Sequence, residues 1–347
     1  MNTILFVDGT ENYNPHNIFD KPTGGILNSL TLIPQYLATK GHDVYVISEY
    51  GVEEDFNGVH YVSREKSLPK WDFVVFNRNV LPADFVQYSK SIGAKVLWWL
   101  HDVTQTTYLP DATFKLVDKV IAQSNYCKDT YKDFYRISEE KFVVIPNGVN
   151  KEIFNEGEYD KRNPNMWITA SALIKGFLPL DDVYENLKRV NYNLDFRIYS
   201  SQALHGKENN EMQSKFLAHM GQKGAHIYSP VAPKVLADVL KRAYCLLMPN
   251  SYPEICSNLL LQARACGCPV VTSDIGANKE FIENGVTGLM TTKWKPHDMH
   301  IWNIEFANLA LKLQLNKELH KTIAQSSPKG ILSWEQVGEA WNNELFN

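Results

Sequence analysis

At 347 residues the chain is too long for one ordinary hydrophobic core and suits two domains. Hydrophobic residues make up 44% and charged residues 21%, ordinary for a globular protein. The net charge of -4 excludes bulk attraction to nucleic acid: residues 1–150 hold 14 Lys+Arg against 18 Asp+Glu, the remainder holds 21 of each, and neither part offers a polybasic membrane anchor.

Apolar, strand-like runs alternate with amphipathic stretches from end to end. Thr3–Asp8 reads as a first strand closing on a carboxylate. Gly24–Lys40 reads as a helix, with Ile26, Leu30, Ile33 and Leu37 at three- and four-residue spacing, stopped by Gly41. Strands follow at Val44–Ser48, Phe73–Phe76, Lys95–Leu100, Lys119–Ala122 and Val143–Ile145. Pro146-Asn147-Gly148-Val149-Asn150 is a turn cluster, and the polar segment Asn155–Asn165 reads as the boundary region. A second series starts at Trp167–Ala170 and continues through Phe196–Tyr199, Ala225–Tyr228, Cys245–Met248, Pro269–Thr272 and Gly288–Met290. Pro233–Arg242 and Ser257–Ala265 read as helices in this second series. Ser333–Phe346 reads as a terminal helix with Trp334, Val337, Trp341 and Leu345 on one face. Such βα alternation implies α/β architecture with parallel sheets covered on both faces.

The first residues lack the basic start and long apolar core of a signal peptide, and no apolar run reaches the ~20 residues that span a bilayer. The expectation is a cytoplasmic protein, with peripheral contact at the inner face of a membrane left open. Five scattered cysteines argue against a disulfide framework, and Cys266-Gly267-Cys268 has no second Cys or His pair near it to complete a metal site.

Ser251–Val271 carries the most chemistry. It reads as a polar loop, a helix start and a buried strand, with Glu254 and a capping hydroxyl at Ser257 where the helix opens. The N–H groups of a first helical turn form an anion site, helped by the helix dipole. A carboxylate beside such a site suits a ligand with hydroxyls and phosphates, as a nucleotide sugar has.

The chain at this point resembles the GT-B glycosyltransferases of glycosyltransferase family four. The resemblance runs through Gly24-Gly25, Lys40-Gly41-His42-Asp43-Val44, Val144–Phe154, Lys175-Gly176, Glu254–Pro269, and Ser273-Asp274 to Gly288-Leu289 with Gly276, Glu280 and Gly285. It implies two Rossmann-like domains facing a central cleft: an acceptor domain over 1–150, joined by the C-terminal helix 333–347, and a donor domain over 151–332. It implies a retaining, metal-independent enzyme that moves a sugar from a UDP- or GDP-linked donor to a glycan, glycolipid or other hydroxyl acceptor in surface glycan or lipopolysaccharide assembly. No Asp-x-Asp occurs in the chain to hold a metal. Lys175, Glu254 and His101 take the catalytic roles. Lys175 neutralises the departing diphosphate, Glu254 accepts sugar hydroxyls, and His101 stands near the sugar, oriented by Asp102. Gly25, Ile255, Cys256, Ser257, Asn258 and Gln262 bind the donor, while Gly24 and Asp102 belong to an acceptor or phosphate loop. The family often has glycine at 255–258, so the bulkier residues here would narrow the pocket.

Two positions depart from the family pattern. Gln262 replaces the carboxylate that would accept both ribose hydroxyls, and Ala170–Ile174 lacks the Arg that accompanies the Lys. They motivate the alternative of a non-catalytic scaffold or partner subunit in glycan assembly. A third reading is another nucleotide-sugar enzyme, such as an epimerase. The donor base would be read by loops near Ser200-Ser201 and Tyr228–Val231, which carry no selective signature.

Overall fold

The computed structural model describes residues 1–11, 14–49, 53–63, 68–78, 82–103, 111–200, 208–292 and 299–346. The chain divides into two compact units. The first is Met1–Ile18, Gly25–Gly148 and Leu332–Asn347; the second is Phe19–Gly24 and Val149–Ile331.

In the first unit the elements are β1 (Thr3–Glu11), α1 (Gly25–Thr39), β2 (Asp43–Glu49), β3 (Glu54–Phe56), β4 (Val59–Val62), β5 (Phe73–Asn77), α2 (Ala83–Ser91), β6 (Lys95–Trp99), α3 (Asp111–Leu116), β7 (Lys119–Ala122), α4 (Asn125–Tyr135) and β8 (Phe142–Val144). Among the described residues these strands form one sheet in the order β3-β4-β2-β1-β5-β6-β7-β8. All its pairings are parallel except β3 with β4. That hairpin turns at Asn57 (φ 49°) and Gly58 (φ 78°), the two left-handed positions that a two-residue turn of this hand requires.

The second unit contains β9 (Asn163–Thr169), α5 (Leu180–Val190), β10 (Asp195–Tyr199), α6 (Glu211–Lys223), β11 (His226–Tyr228), α7 (Pro233–Arg242), β12 (Ala243–Met248), α8 (Asn258–Ala265), β13 (Val270–Thr272), α9 (Asn278–Phe281), β14 (Leu289–Met290), α10 (Met299–Leu315) and α11 (Lys317–Ser326). Its strands run β11-β10-β9-β12-β13-β14, all parallel. Side chains alternate across this sheet, as pleating demands. Ile168, Leu246 and Met248 enter one core, and Trp167, Cys245 and Leu247 enter the other. The whole of β12 is buried, which explains its unbroken apolar run.

α12 (Trp334–Trp341) and the π-turn after it belong to the first unit. Trp334, Val337, Trp341 and Leu345 pack in the same core as Phe6, Leu30 and Trp99. The five cysteines are buried thiols, none of them in a disulfide. Among the described residues no helix is long and apolar enough to cross a membrane.

Two sequence expectations need correcting. Asn155–Asn165 is not the boundary, because the units divide between Gly148 and Val149. Val149 and Phe154 already sit in a second-unit core, and the buried Arg162 guanidinium donates to the carbonyls of Leu240 and Ala243 at 2.9 Å and of Cys266 at 2.5 Å. A polar segment thus becomes structural because its arginine caps the C-terminal ends of α7 and α8. The first domain is also not continuous over 1–150, because Phe19–Gly24 groups with the second unit. Within that unit Lys234 Nζ lies 2.6 Å from Asp20 Oδ1.

Candidate functional site

In the second unit the chemistry gathers in loops after β9 and β12. Lys175 ends a single 3-10 turn, Leu173–Lys175, and Gly176 follows it at φ 139°. The Lys175 carbonyl accepts from the Ser251 N–H at 2.7 Å and the Tyr252 N–H at 3.2 Å, stitching the two loops together. A Cβ on Gly176 would stand 1.9 Å from the Pro249 carbonyl oxygen, so only glycine fits this crossing. Glu254 is held in a similar way. The Ala277 N–H donates to its carbonyl at 2.8 Å, and a Cβ on Gly276 (φ 64°) would stand 2.4 Å from that same oxygen.

These two clamped loops bring Lys175 Nζ to 2.7 Å from Glu254 Oε1, with side chains 31% and 12% exposed. An ammonium has three N–H donors, so a pair with one carboxylate leaves donors for an anion. The carboxylate keeps lone pairs for hydroxyl donors. One pair can therefore meet a phosphate and a sugar alcohol together.

α8 begins just beyond Glu254, with Ser257 at its N-cap and no acidic residue in its first turn. The expected capping role of Ser257 is not seen: its side chain makes no cap hydrogen bond, and its contribution to the helix is the carbonyl that accepts from the Leu261 N–H at 3.1 Å. Ile255 and Cys256 are 6% and 7% exposed, and Cys256 packs beside Met248 and Leu260, so their bulk lies in the protein interior. Asn258 opens α8, and Gln262 lies half-buried one turn on.

At the ends of β10 and β11, the Ser200 hydroxyl donates to the Ser171 carbonyl at 2.8 Å, and Tyr199 stacks on Tyr228 with centroids 4.7 Å apart. Ser201 lies outside the described residues.

In the first unit, His101 follows β6 and stands beside Trp99, with ring centroids 4.5 Å apart. Burial first, and then the Arg78 charge, push its pKa down to about 3, so the imidazole is neutral near pH 7. Asp102 does not orient it. Its carboxylate lies 3.5 Å from Arg78 Nε, and the Gln123 side chain contacts His101 Nδ1 at 2.9 Å instead. Gln123 and Asn147 were not singled out from sequence, although Gln123 ends the apolar run of β7 as His101 ends that of β6. Gly25 is the first residue of α1, and a Cβ on Gly24 would meet nothing within 4 Å.

Residues 171–301 match the family model described as glycosyl transferases group 1, and residues 73–153 match glycosyltransferase family 4. An uncharacterized glycosyltransferase of Methanocaldococcus jannaschii is 28% identical over 63% of this chain and 56% of its own length. The chain thus spans little more than half of that curated relative. The lipopolysaccharide 1,2-N-acetylglucosaminetransferase of Salmonella typhimurium is 23% identical over 82% of this chain and 75% of its own. Among solved structures, HepE of Anabaena in complex with UDP and glucose superposes with a TM-score of 0.72 at 15% identity, covering 99% of both chains. That similarity is one of fold.

Proposed function

We propose that the chain is a GT-B glycosyltransferase similar to family four, and that it moves a sugar from a nucleotide diphosphate sugar to a hydroxyl acceptor, with retention and without a metal. The observation that carries this reading is the Lys175–Glu254 pair at 2.7 Å, at the approach to α8. Lys175 and the first turn of α8 offer positive charge to the diphosphate, and Glu254 accepts hydroxyls of the sugar. Gln262 faces the ribose in this proposal, with one carbonyl oxygen to accept where a carboxylate would have two.

The bond from the anomeric carbon to the phosphate oxygen breaks as the bond to the acceptor oxygen forms on the same face. The acceptor proton passes to an oxygen of the departing phosphate, so no protein base is required. His101, being neutral, serves as a hydrogen-bonding group in this scheme. Gly25 belongs to the donor side of the proposal and Gly24 to an acceptor or phosphate loop. The curated relative that acts in lipopolysaccharide assembly supports surface glycan synthesis as the setting, and HepE, solved with UDP and glucose, supports a UDP-linked donor.

Sugar release from a panel of UDP- and GDP-linked donors tests the proposal. Lys175→Ala and Glu254→Ala should each lower turnover by about 10²-fold or more, the scale of a lost transition-state contact. Wild-type rates in both variants would refute it. The carboxamide at Gln262 and the absent arginine before Lys175 favour one second reading, a non-catalytic scaffold, and the absence of turnover and of nucleotide binding would establish that instead.

A further inference from the structure

Lys175 and Glu254 face each other from stretches of backbone that have little freedom. The Lys175 carbonyl is held by two N–H donors of the neighbouring loop, those of Ser251 and Tyr252. A Cβ on Gly276 would stand 2.8 Å from the Glu254 nitrogen and 2.4 Å from its carbonyl oxygen, so the chain is pinned on both sides of the Glu254 Cα. The side chains meet at 2.7 Å, and the carboxylate is the more sheltered of the two, 12% exposed against 31%. Among the described residues neither member has a second ion-pair partner.

That geometry sets up a competition. A carboxylate so sheltered has lost most of its water, and the ammonium beside it supplies the compensation. A diphosphate arriving at Lys175 finds donor hydrogens there, but the charge behind them is already balanced and a second anion stands next to it. A ligand resolves the conflict if it brings hydroxyl donors to the carboxylate as well as phosphate to the ammonium. A nucleotide sugar brings both. A free nucleoside diphosphate brings phosphate alone. Once the proton received in the transfer is lost to solvent, its terminal phosphate also carries one more negative charge than the sugar-linked form.

We propose that Glu254 makes the site prefer sugar-linked nucleotides over free nucleoside diphosphates: its carboxylate competes with the terminal phosphate of the spent nucleotide for Lys175 and weakens the hold on it. The inference rests on the donor-site reading given above and involves residues of the second unit alone. Glu254 thus has two opposed effects, favourable toward a ligand that carries sugar hydroxyls and unfavourable toward one that has lost them.

Calorimetric titration of the full-length protein with four probes, UDP, GDP, UDP-glucose and GDP-mannose, tests this in wild type and in Glu254→Gln, which keeps the shape of the side chain and removes its charge. The variant should bind UDP or GDP about tenfold more tightly than wild type, the scale of one charge-assisted contact regained. Its gain should be smaller for UDP-glucose than for UDP, and for GDP-mannose than for GDP, because the sugar hydroxyls lose an ionised acceptor. The gain for the free nucleotide should also shrink at about pH 5, where the terminal phosphate holds a proton. Tighter nucleotide binding beside slower turnover is a pair of opposite signs that a merely structural role for Glu254 would not produce, and a misfolded variant would not bind more tightly. Free-nucleotide affinity in Glu254→Gln no tighter than in wild type, or equal gains for the free and sugar-linked forms, overturns the proposal and leaves the donor site standing. Binding of none of the four probes by either protein would sink the donor-site reading, and this inference with it, so the two failures are distinguishable.

Discussion

Gly176 and Gly276 do as much for the site as the charged residues they flank. Each holds a positive φ, and each lets the chain pass against backbone that any Cβ would strike. Gly276→Ala is expected to cost about 1–3 kcal/mol in left-handed strain alone, with the 2.4 Å approach to the Glu254 carbonyl added to it. Its signature should be a raised KM for the nucleotide sugar, because the Glu254 carboxylate moves with its backbone. Steady-state kinetics on the folded variant checks this; an unchanged KM would mean that the clamp does not set the carboxylate. Both glycines were legible in the sequence as parts of a resemblance, and Lys175 and Glu254 with them. What residue types could not show was the ion pair, because its members stand 79 positions apart in the chain and only the stitched loops bring them together. The capping reading of Ser257 failed for a related reason: residue type favours a cap, but the local backbone decides which atoms meet.

α12 shows how one element depends on a single small residue. Gly338 packs flat on Tyr36 of α1, and a Cβ there would lie 2.4 Å from the ring. Around that contact Lys40 Nζ pairs with Glu339 at 2.7 Å, and the Tyr36 hydroxyl donates to the same carboxylate. The exposed pair adds little by itself; the helix is held by Trp334, Val337 and Trp341 in the core. Gly338→Ala should therefore destabilise the first unit by about 2 kcal/mol through overpacking. Lys40→Ala should cost less than Gly338→Ala, because solvent screens the exposed pair. Urea denaturation of both variants measures the difference, and equal losses would contradict this ranking. The amphipathic pattern of the terminal segment was plain in the sequence, since its four large apolar residues share a face. The β3–β4 hairpin was missed even though Asn57-Gly58 between two short runs is a strong hairpin signal. Its strands hold only three and four residues, too few for alternation to stand out from loop. Asn155–Asn165 departs in the other direction: its polar residues suggest a boundary between domains, yet Arg162 is buried against carbonyls of the second unit.

Across the whole molecule, each unit holds a histidine in neutral form. His320 is fully buried, with Nε2 2.8 Å from the Tyr244 carbonyl, and burial pushes it down to about 4 from its ordinary 6.5. His101 is pushed down to about 3. Both folded values lie below the unfolded ones, so as pH falls the unfolded chain takes up protons first. The stability these neutral rings confer is full above about pH 6.5 and is lost as pH falls toward the folded values. Between pH 7.5 and 5, His320 alone should account for about 2 kcal/mol in the second unit, and His320→Gln should flatten that part of the slope. Denaturant unfolding at the two pH values tests it, with the two units followed separately because they need not melt together. The doubly repeated parallel α/β plan was readable because buried parallel strands announce themselves as apolar runs. The excursion of Phe19–Gly24 into the second unit was not, since nothing in its composition differs from an ordinary loop.

The central claim is that the second unit grips a nucleotide diphosphate through Lys175 and the start of α8. Calorimetric titration of wild type and Lys175→Ala with UDP and with GDP tests it most directly. The account predicts that wild type binds one of the two nucleotides and that the variant binds it about tenfold or more weakly, the loss of one charge-assisted contact. No binding of either nucleotide by wild type, or equal affinity in the variant, would contradict it.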